Sequence, residues 1–159
     1  MKFQPVSIGF GAMLMLATLA VHAEPAAPQP THGACALIKP EDLKALFGTT
    51  PAGDSKKGAC TWSVSGSPNK LITTKFPDTG MAAEMAYSNA EKNAAKGGEI
   101  INLKGLGDKA FARFNRIGVV LITIKNGTLL QLIYATGAVG TQKELDALQP
   151  VAMKAIAGF

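Results

Sequence analysis

Gly105-x-Gly107-x-x-Ala110 has the glycine spacing with which dinucleotide-binding folds cradle a pyrophosphate. That chemistry needs a helix to begin inside the loop, because amides at the helix N-terminus hold the phosphate. Here Ala110-Phe111-Ala112-Arg113-Phe114-Asn115 leads directly into Ile117-Gly118-Val119-Val120, which is strand composition. No acidic residue occurs from position 109 through 143, so none is placed to take a ribose hydroxyl. The glycines read as a turn between strands, and no cofactor is expected.

Ser67-Pro68-Asn69-Lys70 has the Ser-x-x-Lys spacing of penicillin-binding proteins, where the serine opens a helix. Pro68 and Asn69 make it a hairpin turn instead, and the companion Lys-Thr-Gly and Ser-Asp-Asn motifs do not occur. His22 lies in the leader and His32 in a proline-rich stretch, so neither a histidine triad nor a metal cluster is expected in the folded part. Asp54, Asp78 and Asp108 fall in expected loops, where turn and capping roles are ordinary. No motif brings two acids together as a carboxylate-pair hydrolase requires. Cys35 and Cys60 have neither Cys-x-x-Cys spacing nor neighbouring histidines, which argues against redox and zinc chemistry. An even cysteine count in an exported chain favours a structural disulfide between them.

Export is indicated by the start, MKFQPVSIGFGAMLMLATLAVHA. Lys2 is followed by an uncharged apolar run from Val6 to Val21 and a small-x-small cleavage site ending at Ala23. The run is shorter than a membrane span and has no basic stop-transfer cluster after it, so cleavage is expected, with no stable membrane anchor remaining. Cys35 is no lipid-attachment site, since His32 stands where leucine is needed and EPAAPQPTHG separates it from the apolar run. Residues 24–33 read as a flexible tether and 34–159 as a single domain. The formal charge is +5, with lysines spread along the chain and arginine only at Arg113 and Arg116. Together with export, that distribution argues against a nucleic-acid partner. It suits solubility or weak attraction to an anionic envelope surface.

The elements that would position these residues can be read from periodicity. Pro40 to Gly48 carries the start and stop signals of a short helix, with Leu43, Leu46 and Phe47 as its apolar stripe. TTPAGDSKKG reads as a polar loop. Cys60, Trp62 and Val64 alternate with polar residues, and Lys70 to Phe76 resumes the alternation after the turn, suggesting a hairpin. Residues 80–96 form the longest helix pattern, ended by Gly97-Gly98, with Ala82, Ala86, Ala90 and Ala94 as a small-residue row. Strands are expected at 99–103, 109–115, 117–125 and 128–136, the last two joined by an Asn126-Gly127 type I′ turn. A Thr141-x-x-Glu144 capping box opens the final helix, which Pro150 should kink or split. The order α-β-β-α-β-β-β-β-α predicts an α+β fold, an antiparallel sheet of about six strands packed by three helices.

Cys35-Ala36-Leu37-Ile38, Cys60-Thr61-Trp62 and Gly105-Leu106-Gly107-Asp108-Lys109-Ala110, in that order, resemble the pattern of a domain-of-unknown-function family of exported bacterial proteins, many of them actinobacterial lipoproteins. The resemblance covers nearly the whole domain and implies a disulfide and an α+β sandwich. It transfers no catalytic residue, and the missing lipidation motif departs from many members.

The Asn126-Gly127 hairpin suggests where a partner would bind. A two-residue turn puts Leu121, Thr123, Leu130, Leu132 and Tyr134 on one face and Val120, Ile122, Ile124, Leu129 and Ile133 on the other. Both faces are largely apolar, so both need covering. If the helices divide between them, both are core. If all helices lie on one side, the second set becomes the candidate interface for an envelope protein or a small apolar ligand. Export, a stapled small domain and the lack of a catalytic constellation point to a non-enzymatic binding module. An inhibitor or accessory subunit of an envelope enzyme is the alternative, with a hydrolase behind it.

Overall fold

Residues 118–125 and 128–135 are almost continuously apolar, and such a pair folds stably only at the centre of a sheet covered on both sides. A computed structural model, which describes residues 33–76 and 81–159, has this arrangement. The expected leader, the tether up to residue 32 and Asp78 lie outside the described residues.

Seven strands form one antiparallel sheet. They are β1 (Ala52–Lys56), β2 (Ala59–Ser63), β3 (Lys70–Phe76), β4 (Ile101–Asn102), β5 (Lys109–Asn115), β6 (Gly118–Lys125) and β7 (Thr128–Ala135). Their spatial order is β1-β2-β3-β7-β6-β5-β4. The β6–β7 register pairs Lys125 with Thr128, Ile124 with Leu129 and Leu121 with Leu132. Asn126 and Gly127 have φ of 48° and 76°, the left-handed pair that a type I′ turn demands.

The helices divide between the two faces. A 3-10 turn at Gly33–Leu37, a second at Pro40–Leu43 running into α1 (Lys44–Phe47), and α3 (Gln142–Ile156) enclose one side. There they bury Trp62, Leu71, Leu121, Leu130, Leu132 and Tyr134. Helix α2 (Met81–Lys96) lies on the other side over Phe111, Val120, Ile122, Ile124 and Leu129. The connection from β3 to β4 has to pass β7, β6 and β5, and α2 makes that passage. Among the described residues, no helix is long and apolar enough to cross a membrane.

Four expectations are corrected. The stretch read as a polar loop contains β1, which pairs with β2 through a Lys57-Gly58 turn. As an edge strand it is held by main-chain hydrogen bonds with little side-chain burial, so no apolar alternation marks it. The expected strand 99–103 shortens to Ile101–Asn102. Helix α3 runs unbroken through Pro150, which lies on the exposed side, as does Asp146, the residue whose carbonyl loses that amide as a partner. On α2, Ala86, Ala90 and Ala94 of the expected row pack inward, but Ala82 is exposed, and Ala83 and Tyr87 are buried beside them. The capping box forms as expected: Glu144 N donates to Thr141 Oγ1 at 3.4 Å, and Thr141 N to Glu144 Oε2 at 2.8 Å.

Candidate functional site

Cys35 and Cys60 form a disulfide, with Cα atoms 4.9 Å apart. It joins the first 3-10 turn to β2, and both residues are buried. The other residues singled out by sequence have a different fate. Val120, Ile122, Ile124 and Leu129 are buried, at most 6 % exposed, beneath α2, and Ile133 is half-buried at the margin of the same cluster. The condition that would have opened this face, all helices on one side, is not met. Ala83 and Ala94 pack into this cluster, and the Tyr87 ring lies over Phe111 within it.

The glycine motif is explained by packing. Gly105 and Gly107 have φ of 75° and 72°, and a Cβ on Gly107 would lie 2.5 Å from the Ile124 carbonyl oxygen. Between them Leu106 is buried, and its carbonyl accepts a hydrogen bond from Thr123 Oγ1 at 2.8 Å. Asp108 N donates to the Ile124 carbonyl, and Asp108 Oδ2 accepts from Asn126 N, each at 2.8 Å. The Gly-Leu-Gly-Asp segment is thus a brace on the β6–β7 hairpin. Ser67 accepts from Asn69 N at 3.2 Å within its turn, a structural role.

A polar cleft opens where α2 meets the β4–β5 edge, with a volume of about 390 Å³. Glu84, Tyr87, Ser88 and Glu91 follow i, i+3, i+4, i+7 spacing, which places them along one flank of the helix. Asn102 of β4 and Lys109 of β5 form the opposite wall. Lys109 Nζ lies 2.9 Å from Glu84 Oε2. Both side chains are about half exposed, so solvent screens the pair, which serves mainly to neutralise Glu84. The hydrogen bond and charge of Glu84 push the Lys109 ammonium above its ordinary range. The Tyr87 ring packs edge-on against Phe111, with centroids 5.4 Å apart at 74°. Burial, reinforced by the Glu91 and Glu84 carboxylates, pushes its phenol up to about 12.

That shift predicts an alkaline limit to stability. The folded value lies above the ordinary 10, so the folded protein holds this proton more tightly than the unfolded chain. The stabilisation is complete below about pH 10 and is lost as pH rises toward 12. It amounts to roughly 2–3 kcal/mol at most. Tyr87→Phe should flatten the fall of unfolding free energy across that window in urea titrations. An unchanged slope would assign the loss to Lys109 or to Tyr134, whose phenol burial also pushes up.

A second recess of about 320 Å³ lies between α1 and α3 at Leu46, Tyr134, Thr141 and Glu144. Most of its polar groups are already engaged, Lys143 apart: Tyr134 Oη donates to the Leu46 carbonyl at 2.7 Å and accepts from Asn69 Nδ2 at 3.2 Å, while Glu144 serves the capping box. The α2 cleft is therefore the stronger candidate. Sequence reading missed it because no motif couples the two glutamates. The available signal was their i, i+7 spacing about Tyr87, which has no chemical meaning until a strand supplies Lys109. No protein-family model, no curated protein and no solved structure matches the chain.

Proposed function

We propose that the protein is an exported, non-enzymatic binding module that receives a small polar ligand in the cleft between α2 and the β4–β5 edge. The leader-like start, the disulfide and the likeness to exported bacterial domains support export. The observation carrying the binding reading is the polar cleft itself, where Glu84, Tyr87, Ser88 and Glu91 on one flank of α2 face Asn102 and Lys109. Proton transfer is most effective by groups whose pKa lies near the working pH. Here the Tyr87 phenol and the Lys109 ammonium are both pushed away from neutrality, which suits fixed hydrogen-bond donors better than acid–base catalysts. The volume lies within the range of small-molecule sites, about 300–1,000 Å³.

With Glu84 neutralised by Lys109, the Glu91 carboxylate is the acceptor left for a cationic group. Tyr87, Ser88 and Asn102 supply neutral hydrogen-bonding groups around it. The favoured ligand class is accordingly a small molecule bearing a primary ammonium together with hydroxyl or amide groups. Screening amines, amino sugars and amino acids by chemical-shift perturbation should move resonances of α2 and β5. Glu91→Gln should weaken any hit at least tenfold with an unchanged melting temperature, since Glu91 makes no described ion pair. Robust turnover of any substrate, abolished by Tyr87→Phe or Glu91→Gln, would replace this reading with an enzymatic one.

A further inference from the structure

At the end of the sheet remote from the Asn126-Gly127 turn, two short segments are tied together by the main chain. Thr136 N and Gly137 N both donate to the Ile117 carbonyl, at 2.8 and 3.2 Å, and Gly140 N donates to the Asn115 carbonyl at 3.0 Å. Asn115 Oδ1 accepts from Ile117 N at 2.9 Å, fixing the β5–β6 turn from within. This braced tip presents apolar side chains to solvent: Ile117 is 52 % exposed, Val139 66 % and Phe114 37 %. A turn held by so many hydrogen bonds has no folding need for isoleucine at its apex.

Cations surround the tip. Arg116 is in the turn, Arg113 leaves the adjacent strand toward Gly97, Lys70 pairs across from Ala135, and Lys143 opens α3 just beyond the loop. The acids at this end are Glu99, just before β4, and Glu144, whose carboxylate accepts from Thr141 N and Oγ1. None of the four cations is in an ion pair among the described residues. At the opposite end Lys109 is paired with Glu84, Lys154 with Asp42, and Lys125 donates to the Ile156 carbonyl. Both arginines of the chain are at the tip end.

We propose that this tip docks on an anionic lipid surface, Ile117, Val139 and Phe114 entering the interface while Arg116, Lys70 and Lys143 meet the headgroups. Three small apolar contacts cannot supply the roughly 800 Å² per partner of a stable protein interface. Exposed apolar side chains beside the exposed cations Arg116, Lys70 and Lys143 are instead what binding in the headgroup layer needs. The inference is independent of what the cleft binds.

Flotation with phosphatidylglycerol–phosphatidylcholine and pure phosphatidylcholine vesicles tests it. The chain from Glu24 onward is suitable, because it contains all of the described core, from Ala34 to Ile156. Association should be at least tenfold stronger with the anionic vesicles and should disappear in high salt. Ile117→Asp combined with Val139→Asp should lower it at least tenfold, and Arg116→Glu similarly, with melting temperatures unchanged. Met81→Asp with Met85→Asp, exposed positions of α2 outside the tip, should leave it intact. Equal binding to both vesicles, or indifference to the tip substitutions, would overturn the proposal. Loss of binding in the Met81/Met85 variant would move the contact to α2. A dimer dissolved by Ile117→Asp and Val139→Asp would make the tip an interface between copies.

Discussion

Lysine in place of either Ile122 or Leu130 is expected to abolish cooperative folding. The two residues point to opposite faces of the central hairpin, and each is enclosed: Ile122 is 5 % exposed beneath α2, and Leu130 is fully buried beneath the α1 and α3 layer. An ammonium in either place has no carboxylate partner in the apolar cluster around it. Its burial costs several kcal/mol beyond the lost packing. A domain of this size is stable by about 5–15 kcal/mol, so either substitution consumes most of that margin. Circular dichroism should show no sigmoidal thermal transition for either variant. If the Ile122→Lys protein melts cooperatively near the parent temperature, the α2 layer is not packed as described and that face is available to a partner. Survival of Leu130→Lys would indict the other layer.

Removing the disulfide should rank next. The bond spans 25 residues, and a loop of that length corresponds to roughly 3.5 kcal/mol of chain-entropy stabilisation. Its position adds a packing role. Cys35 belongs to a five-residue 3-10 turn that hydrogen bonding alone holds poorly, yet Ala34, Cys35 and Ile38 all contribute to the core around Trp62. Cys35→Ser with Cys60→Ser should therefore lower the melting temperature by on the order of 10 °C or more, with loss of native near-ultraviolet signal from Trp62. The unreduced parent should titrate no thiol. Two reactive thiols in the parent, or a double variant as stable as the parent, would contradict this assignment.

What the sequence determined by itself is what local chemistry dictates. Nearly continuous apolar runs at 118–125 and 128–135 around Asn126-Gly127 form a central hairpin, because the turn matches strand twist and both faces need covering. Thr141 and Glu144 mark a helix start because their side chains satisfy amides that the helix leaves free. Two cysteines in an otherwise histidine-free domain pair with each other, and Gly105-Leu106-Gly107 before a strand makes a turn rather than a phosphate loop.

Only the tertiary structure decided the rest. Strand β1 has no apolar alternation because its bonds to β2 are made by the main chain, which every residue carries alike. The apolar periodicity of β6 and β7 demanded two covering layers but could not say which helix lies on which side. Because β7 pairs with β3, the β3–β4 connection must cross a face of the sheet, and α2 packs on the one opposite α1 and α3. It buries Val120, Ile122, Ile124 and Leu129. The same passage creates the cleft, since Glu84 and Glu91 acquire a chemical context only when α2 is set beside Lys109 and Asn102. Periodicity is a property of consecutive residues, whereas a site is a coincidence of registers between elements, and registers are fixed by packing.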